Sequence, residues 1–175
     1  MKLNKIIHGT MCSIVDSTMD DCSQMLKLRK DPSLSKYLKN VDNDLLEQQN
    51  WLNSQYSSTD RMALTIKDSN QTVVGFFTSF RIFWDFWTFE PGGWIMENNL
   101  SPSLKLCSLI VAYEFGFNEV NQNFARLIVR HGNKKVLGLH EKMGSINFYE
   151  DKKYKYFILS KKNFNSSQLR RFYIK

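Results

Sequence analysis

The sequence predicts a mixed α/β domain, a mostly antiparallel sheet of six to seven strands flanked by about four helices. Three observations predict it. Short apolar runs rich in β-branched and aromatic residues, such as 62–67, 72–82 and 154–160, read as strands. Stretches with apolar residues at helical spacing behind capping signals, such as 44–56 and 133–143, read as helices. Most strands follow one another through short turns, which joins them antiparallel; a helix intervenes near the centre and makes one parallel βαβ crossover. A length of 175 residues suits one domain, with its core over 11–160.

Taken in order, residues 11–15 form a strand, and Asp20-Asp21 starts a helix over 23–29. Pro32 breaks that helix, while Leu34, Tyr37 and Leu38 continue an apolar face. A second helix spans 44–56, with Asp44 or Asn43 as its cap. Strands over 62–67 and 72–82 are joined by the polar turn Asp68-Ser69-Asn70-Gln71, and Gly92-Gly93 precedes a strand over 94–97. Ser101 then caps a helix whose first position is Pro102 and whose apolar run ends near Phe117. A strand over 127–130 leads to a helix over 133–143, and Gly144 stands where a left-handed C-cap belongs. Strands over 147–150 and 154–160 close the core, and residues 161–175 read as a basic tail.

Composition narrows the function classes. With 42% hydrophobic and 23% charged residues, three prolines and eight glycines, the chain is neither disordered nor repetitive. No apolar run has the length of a membrane span, and the first twenty residues hold no signal-peptide core. Cys12, Cys22 and Cys107 have no metal-ligand spacing and leave one thiol over in any disulfide scheme, which points to the reducing cytoplasm. Charge is uneven. Residues 1–100 carry ten Lys/Arg against twelve Asp/Glu, and residues 101–175 carry fourteen against five. A basic half fits an anionic partner, either nucleic acid or a phosphate-bearing cofactor or nucleotide. The sequence has no helix-turn-helix, zinc or RNP pattern, so nucleic acid is the less favoured.

The segment Asn133-Lys-Lys-Val-Leu-Gly-Leu-His-Glu-Lys-Met-Gly144, following Arg126-Leu-Ile-Val-Arg130, resembles the last helix of the GCN5-related N-acetyltransferases (GNAT superfamily). The order of elements from about residue 11 to 160 is similar to that family's as well. Two departures stand out. Asn98-Asn-Leu-Ser-Pro-Ser103 occupies the place of the family's glycine-rich phosphate loop without a glycine, and Ser145 stands where a Phe is usual.

The resemblance implies a GNAT fold and an acetyl-CoA-dependent transfer of an acetyl group to a primary amine. It implies cofactor contacts from Met96, Asn98, Ser101, Ser103, Leu104, Ile128, Val129, Asn133 and Lys135, with pantetheine lying between the strands over 94–97 and 127–130. A backbone N–H near Glu97 or Asn98 would polarise the acetyl carbonyl, and pyrophosphate would meet the N-terminus of the helix after Ser101. His140, two turns after Asn133 on the same helix face, takes the general-acid position; its alternative is a structural histidine. Asn133 is either a cofactor contact or simply the helix N-cap. Glu97 is the first candidate base and Asp85 the second.

Nine aromatics crowd residues 76–94. Trp84, Asp85 and Trp87 are candidate acceptor contacts, and a homodimer interface explains the same aromatic cluster. The resemblance favours a nucleotide-linked amino sugar as acceptor, as in acetyltransferases of surface-polysaccharide pathways. A protein N-terminus, as in ribosomal-protein acetyltransferases, and a non-catalytic GNAT-fold binding domain are the other readings.

Overall fold

The computed structural model describes residues 1–3, 5–41 and 44–173. Eight strands form one sheet in the order β1-β2-β3-β4-β5-β6-β8-β7. They are β1 (Ile7–His8), β2 (Cys12–Asp16), β3 (Arg61–Asp68), β4 (Val73–Phe83), β5 (Thr88–Met96), β6 (Phe124–Arg130), β7 (Ile146–Glu150) and β8 (Tyr154–Ser160). Every neighbouring pair is antiparallel except β5 and β6. The helices are α1 (Cys22–Lys30), α2 (Pro32–Ser35), α3 (Leu45–Ser57), α4 (Pro102–Glu114), α5 (Lys134–Lys142), α6 (Lys161–Ser166) and α7 (Gln168–Tyr173). The mixed, mostly antiparallel architecture is the expected one, with more elements than the sequence announced.

The additions have identifiable causes. The short β1 pairs only through Ile7↔Ile14 and His8↔Ser13, too little for a periodic signal. Pro32 does not merely stop α1; it opens a single turn whose cap, Asp31, accepts from the Ser33 N–H. The supposed basic tail is helical as far as described. Phe164 on α6 is fully buried and stacks on Phe117, and Arg170 on α7 meets both carboxylate oxygens of Glu114 at 2.7 and 2.8 Å. Packing against α4 and the turn after it folds this polar segment, where local pattern gave no reason to.

Two apolar layers cover the sheet. On one face α4 buries Cys107, Ile110, Val111 and Tyr113 against Leu64, Phe77, Phe80 and Phe89. On the other, α1 buries Met25 and Leu28 against Phe76 and Ile95, with Leu38 and Trp51 packed alongside. The crowded aromatics of 76–94 divide accordingly. Phe76, Phe77, Phe80 and Phe89 enter the core, and Trp84, Phe86 and Trp87 stay exposed on the turn between β4 and β5. The three cysteines are free and buried, with Cys12 and Cys107 in sulfur contact at 3.5 Å. Among the described residues no helix is long and apolar enough to cross a membrane.

β5 sets up the site. It runs straight through Pro91-Gly92-Gly93, so the glycines interrupt its geometry without ending it. Pairing with β4 holds on both sides, Ser79↔Gly92 and Phe77↔Trp94, and skips Thr78 and Gly93. Gly93 has φ +64°, and a Cβ there would lie 2.1 Å from the Thr78 Oγ1, so only glycine fits.

Candidate functional site

β5 and β6 pair only at Thr88↔Phe124 and Phe89↔Ala125 and then part, leaving a wedge-shaped cleft of about 140 Å³. Its walls are Glu90 to Trp94 on β5 and Arg126 to Arg130 on β6. Leu109 of α4 with Asn133, Val136 and His140 of α5 close one side, and Tyr37, Leu38 and Tyr154 border the other. Tyr37 reaches across the mouth, its hydroxyl donating to the Gly132 carbonyl at 2.7 Å.

The backbone of β5 offers an unpaired edge to this cleft. The Glu97 N–H donates to the Val74 carbonyl at 3.0 Å, so alternation turns the Trp94 and Met96 N–H groups away from β4 and toward the opening. No strand pairs with β5 there, because its ladder with β6 has ended at Phe89. The sequence suggested such a donor near Glu97 or Asn98; of the edge positions Trp94 and Met96, the one that lines the cleft is Trp94.

Asn133 lines the cleft, and its side chain makes no capping bond to α5, which frees the amide for a ligand. Ile128 and Val129 also line it. His140 lies there too, 4% exposed, with Nδ1 3.2 Å from the Tyr113 hydroxyl. Burial pushes its pKa down to about 4, so the ring is neutral at pH 7. Burial thus disfavours the imidazolium form that an acid role would use. Burial likewise pushes the Tyr113 phenol far up, so the Tyr113–His140 pair carries no charge.

The other expected residues sit further out. Glu97 turns to α1, where Gln24 Nε2 donates to its Oε1 at 3.3 Å, and it is absent from the cleft lining. Glu90 lines the cleft instead. Its Oε2 accepts from Arg126 Nε and Nη2 at 2.9 and 2.7 Å, and among the described residues Oε1 accepts no hydrogen bond. Nothing local marks Glu90, since its partner lies 36 positions away.

Trp84 and Trp87 lie beyond the closed end of the wedge, Trp84 held by a 3.2 Å bond from Nε1 to the Thr59 carbonyl. The Asp85 side chain lies outside the described residues. Lys135 is exposed on α5 and does not line the cleft.

At the start of α4 the Ser101 Oγ accepts from the Leu104 N–H at 3.1 Å, and Pro102 has no N–H. Ser103 therefore holds the one free amide of the first three helical positions. Leu104 and Met96 have buried side chains. Asn98 is tied elsewhere, its amide donating to Ser33 Oγ at 2.9 Å. This glycine-free loop carries a cation. Lys105 Nζ donates to the Asn98 carbonyl at 3.0 Å, directly at this loop. A lysine one turn into a helix carried no signal in the sequence.

A larger hollow of about 490 Å³ lies between the end of α5 and the α6–α7 segment, bounded by Met143, Gly144, Asn163 and Leu169. Among the described residues its lining holds no carboxylate, histidine or cysteine, whereas that of the smaller cleft holds Glu90 and His140.

No protein-family model matches the sequence, and no curated protein matches it. Solved structures do. The chain is similar to FdhC, a nucleotide-linked sugar GNAT, with a TM-score of 0.84 and 21% identity over 97% of each chain. It is similar to the spermidine N-acetyltransferase SpeG from Vibrio cholerae, solved with CoA and spermine, with a TM-score of 0.76 and 14% identity over 89% of this chain and 98% of that one. A GCN5-related N-acetyltransferase from Brucella melitensis gives a TM-score of 0.76 and 12% identity over 95% and 82%. The chain has the fold of the GCN5-related N-acetyltransferases.

Proposed function

We propose that this protein is an acetyl-CoA-dependent N-acetyltransferase whose acceptor is the amino group of a nucleotide-linked amino sugar. The observation that carries the reading is the parting of β5 from β6, which leaves main-chain donors facing a cleft lined by Asn133. The residues fit the cofactor. The open β5 edge at Trp94 and Met96, together with the uncommitted Asn133 amide, suits the amides of a pantetheine chain. Ser103 N–H and Lys105 suit the pyrophosphate, with Lys105 giving the charge that the glycine-free loop gives less of.

Acetyl-CoA supplies the activated acyl group. The Trp94 N–H is placed to hold the acyl oxygen and to stabilise negative charge there. Glu90 is the base, taking the amine proton at its open Oε1, directly or through one water, as the C–N bond forms and the thioester C–S bond breaks. The thiolate leaves and is protonated by water, and Arg126 fixes the carboxylate from the other side. His140, neutral and buried, shapes the wall and keeps water out.

The charge of the mouth separates acceptor classes. Arg130 stands there and, among the described residues, makes no ion pair, its guanidinium lying 5.9 Å from the centre of the Tyr154 ring; Arg126, next to the last paired residues, is held by Glu90. An unpaired cation beside a tyrosine ring suits a phosphate-bearing acceptor with a flat base and opposes a polycation such as spermidine. Trp84 and Trp87, outside the cleft, fit an interface with a second copy better than an acceptor pocket. The free, buried cysteines fit a reducing cytoplasm.

Release of CoA thiol, followed with a UDP-linked amino sugar, spermidine and a peptide with a free N-terminus, tests the assignment. Turnover of the sugar nucleotide with a kcat/KM at least about 100-fold above spermidine is expected. Preference for the peptide would transfer the activity to protein N-termini, and no turnover with any amine would leave a binding domain.

A further inference from the structure

We propose that Arg29 and Thr78 form a relay that polarises the Gly93–Trp94 peptide and strengthens the Trp94 N–H as a donor into the cleft. Its catalytic consequence rests on the acetyltransferase reading above; its physics does not.

The relay is a short chain of hydrogen bonds that starts at a charge. Arg29 Nη1, on α1, donates to the Thr78 Oγ1 at 3.1 Å, and that hydroxyl donates onward to the Gly93 carbonyl at 3.2 Å. The hydroxyl has one proton and two lone pairs, so receiving from the guanidinium and giving to the carbonyl uses it consistently. The described peptides are all trans, which puts a C=O and the next N–H on opposite edges of one peptide plane. Because the Gly93 oxygen faces Thr78 on β4, the Trp94 N–H faces away from β4. Strand alternation counted back from Glu97 gives the same direction independently.

Each link in such a chain strengthens the next, by roughly 10–30% in condensed phase, and the effect is larger where the first donor is ionised. A hydrogen bond on the Gly93 oxygen draws electron density from the peptide nitrogen and sharpens the N–H at the other end. That N–H is the group facing negative charge as it develops on the acyl oxygen.

Three features are otherwise unexplained. Arg29 is half-buried and, among the described residues, forms no ion pair, and its Nε is buried without a partner. A guanidinium is costly to hold there without an anion unless its charge is used. Gly93 permits the approach, since any Cβ would displace the Thr78 hydroxyl. Arg29 Nη2 also donates to the Lys39 carbonyl, so the same guanidinium anchors the segment carrying Tyr37 and Leu38 over the cleft mouth. Arg29 and Thr78 are thus positioning residues, acting through the Gly93–Trp94 peptide.

The test joins kinetics to the amide resonance of Trp94 in the ligand-free protein. Thr78→Val and Arg29→Met are expected to lower kcat roughly tenfold with KM for acetyl-CoA changed less than about twofold. Both should move the Trp94 amide proton upfield. Thr78→Ser keeps the hydroxyl and should restore both readouts. Thr78→Val carries the test if Arg29→Met fails to fold. Unchanged kcat and resonance in Thr78→Val, or a loss in Thr78→Ser equal to that in Thr78→Val, would overturn the relay. If the wild-type protein turns over no amine, the acetyltransferase reading fails, and the amide resonance alone still decides the relay.

Discussion

The two edges of β5 make the most instructive contrast in the molecule. Toward β4 the strand is paired from Phe83↔Thr88 to Gly75↔Met96; toward β6 it is paired at two residues. β4 is buried along most of its length, whereas β6 buries Ala125, Leu127 and Val129 and leaves Phe124 and Ile128 exposed. Pairing with β6 ends at Phe89↔Ala125, four residues before Gly93, whose φ of +64° β4 accommodates through the skipped pair at Thr78. One edge is paired along its length, and the other is left open for the proposed cofactor. An unpaired strand edge would invite aggregation elsewhere; here Asn133, His140 and Tyr37 enclose it.

Removing the turn should break the contrast most severely. Gly93→Ala places a Cβ 2.1 Å from the Thr78 hydroxyl at a φ that costs an L-residue about 1–2 kcal/mol. Affinity for acetyl-CoA, read by calorimetry on protein checked for folding, should fall at least about 100-fold. Next in size, Glu90→Gln should lower kcat about 100-fold with acetyl-CoA affinity unchanged. Glu97→Gln, on the side facing α1, should change kcat less than about threefold. Steady-state rates on the two variants distinguish the carboxylates, and the opposite ranking would return the base to Glu97.

The smallest effect at neutral pH concerns His140. Its folded pKa of about 4 lies below the reference value of 6.5, so between these values the unfolded chain binds a proton that the folded chain does not. Stability is therefore complete above about pH 6.5 and declines as pH falls toward 4, by at most roughly 3 kcal/mol. Urea unfolding of wild type and His140→Gln across pH 4–7 should show this slope in wild type only. Parallel curves would mean that the ring is protonated in the folded protein.

How much of this was legible depended on distance along the chain. Periodicity and caps located α3, α4, α5, β7 and β8 to within a few residues, and Gly144 has the left-handed φ of +82° that its position after a helix demands. Asn133 and His140 were readable through the family resemblance of residues 133–144, with their seven-residue spacing putting both on one helix face. The α6–α7 segment was not, since its order comes from Phe164 and Arg170 contacting residues about fifty positions earlier. Gly92-Gly93 looked like the edge of a strand because of its local penalties, which pairing with β4 overrules. Glu90 was missed for a related reason. A glutamate on a strand is ordinary until a parallel strand brings Arg126 beside it and then diverges.

The central claim is that the open edge of β5 receives acetyl-CoA, and amide hydrogen exchange with and without saturating acetyl-CoA tests it most directly. The account predicts slower exchange concentrated at Trp94, Met96 and Ser103, with the amides facing β4, such as Glu97, unchanged. Protection confined to the hollow between α5 and α6, or none along β5, would contradict it.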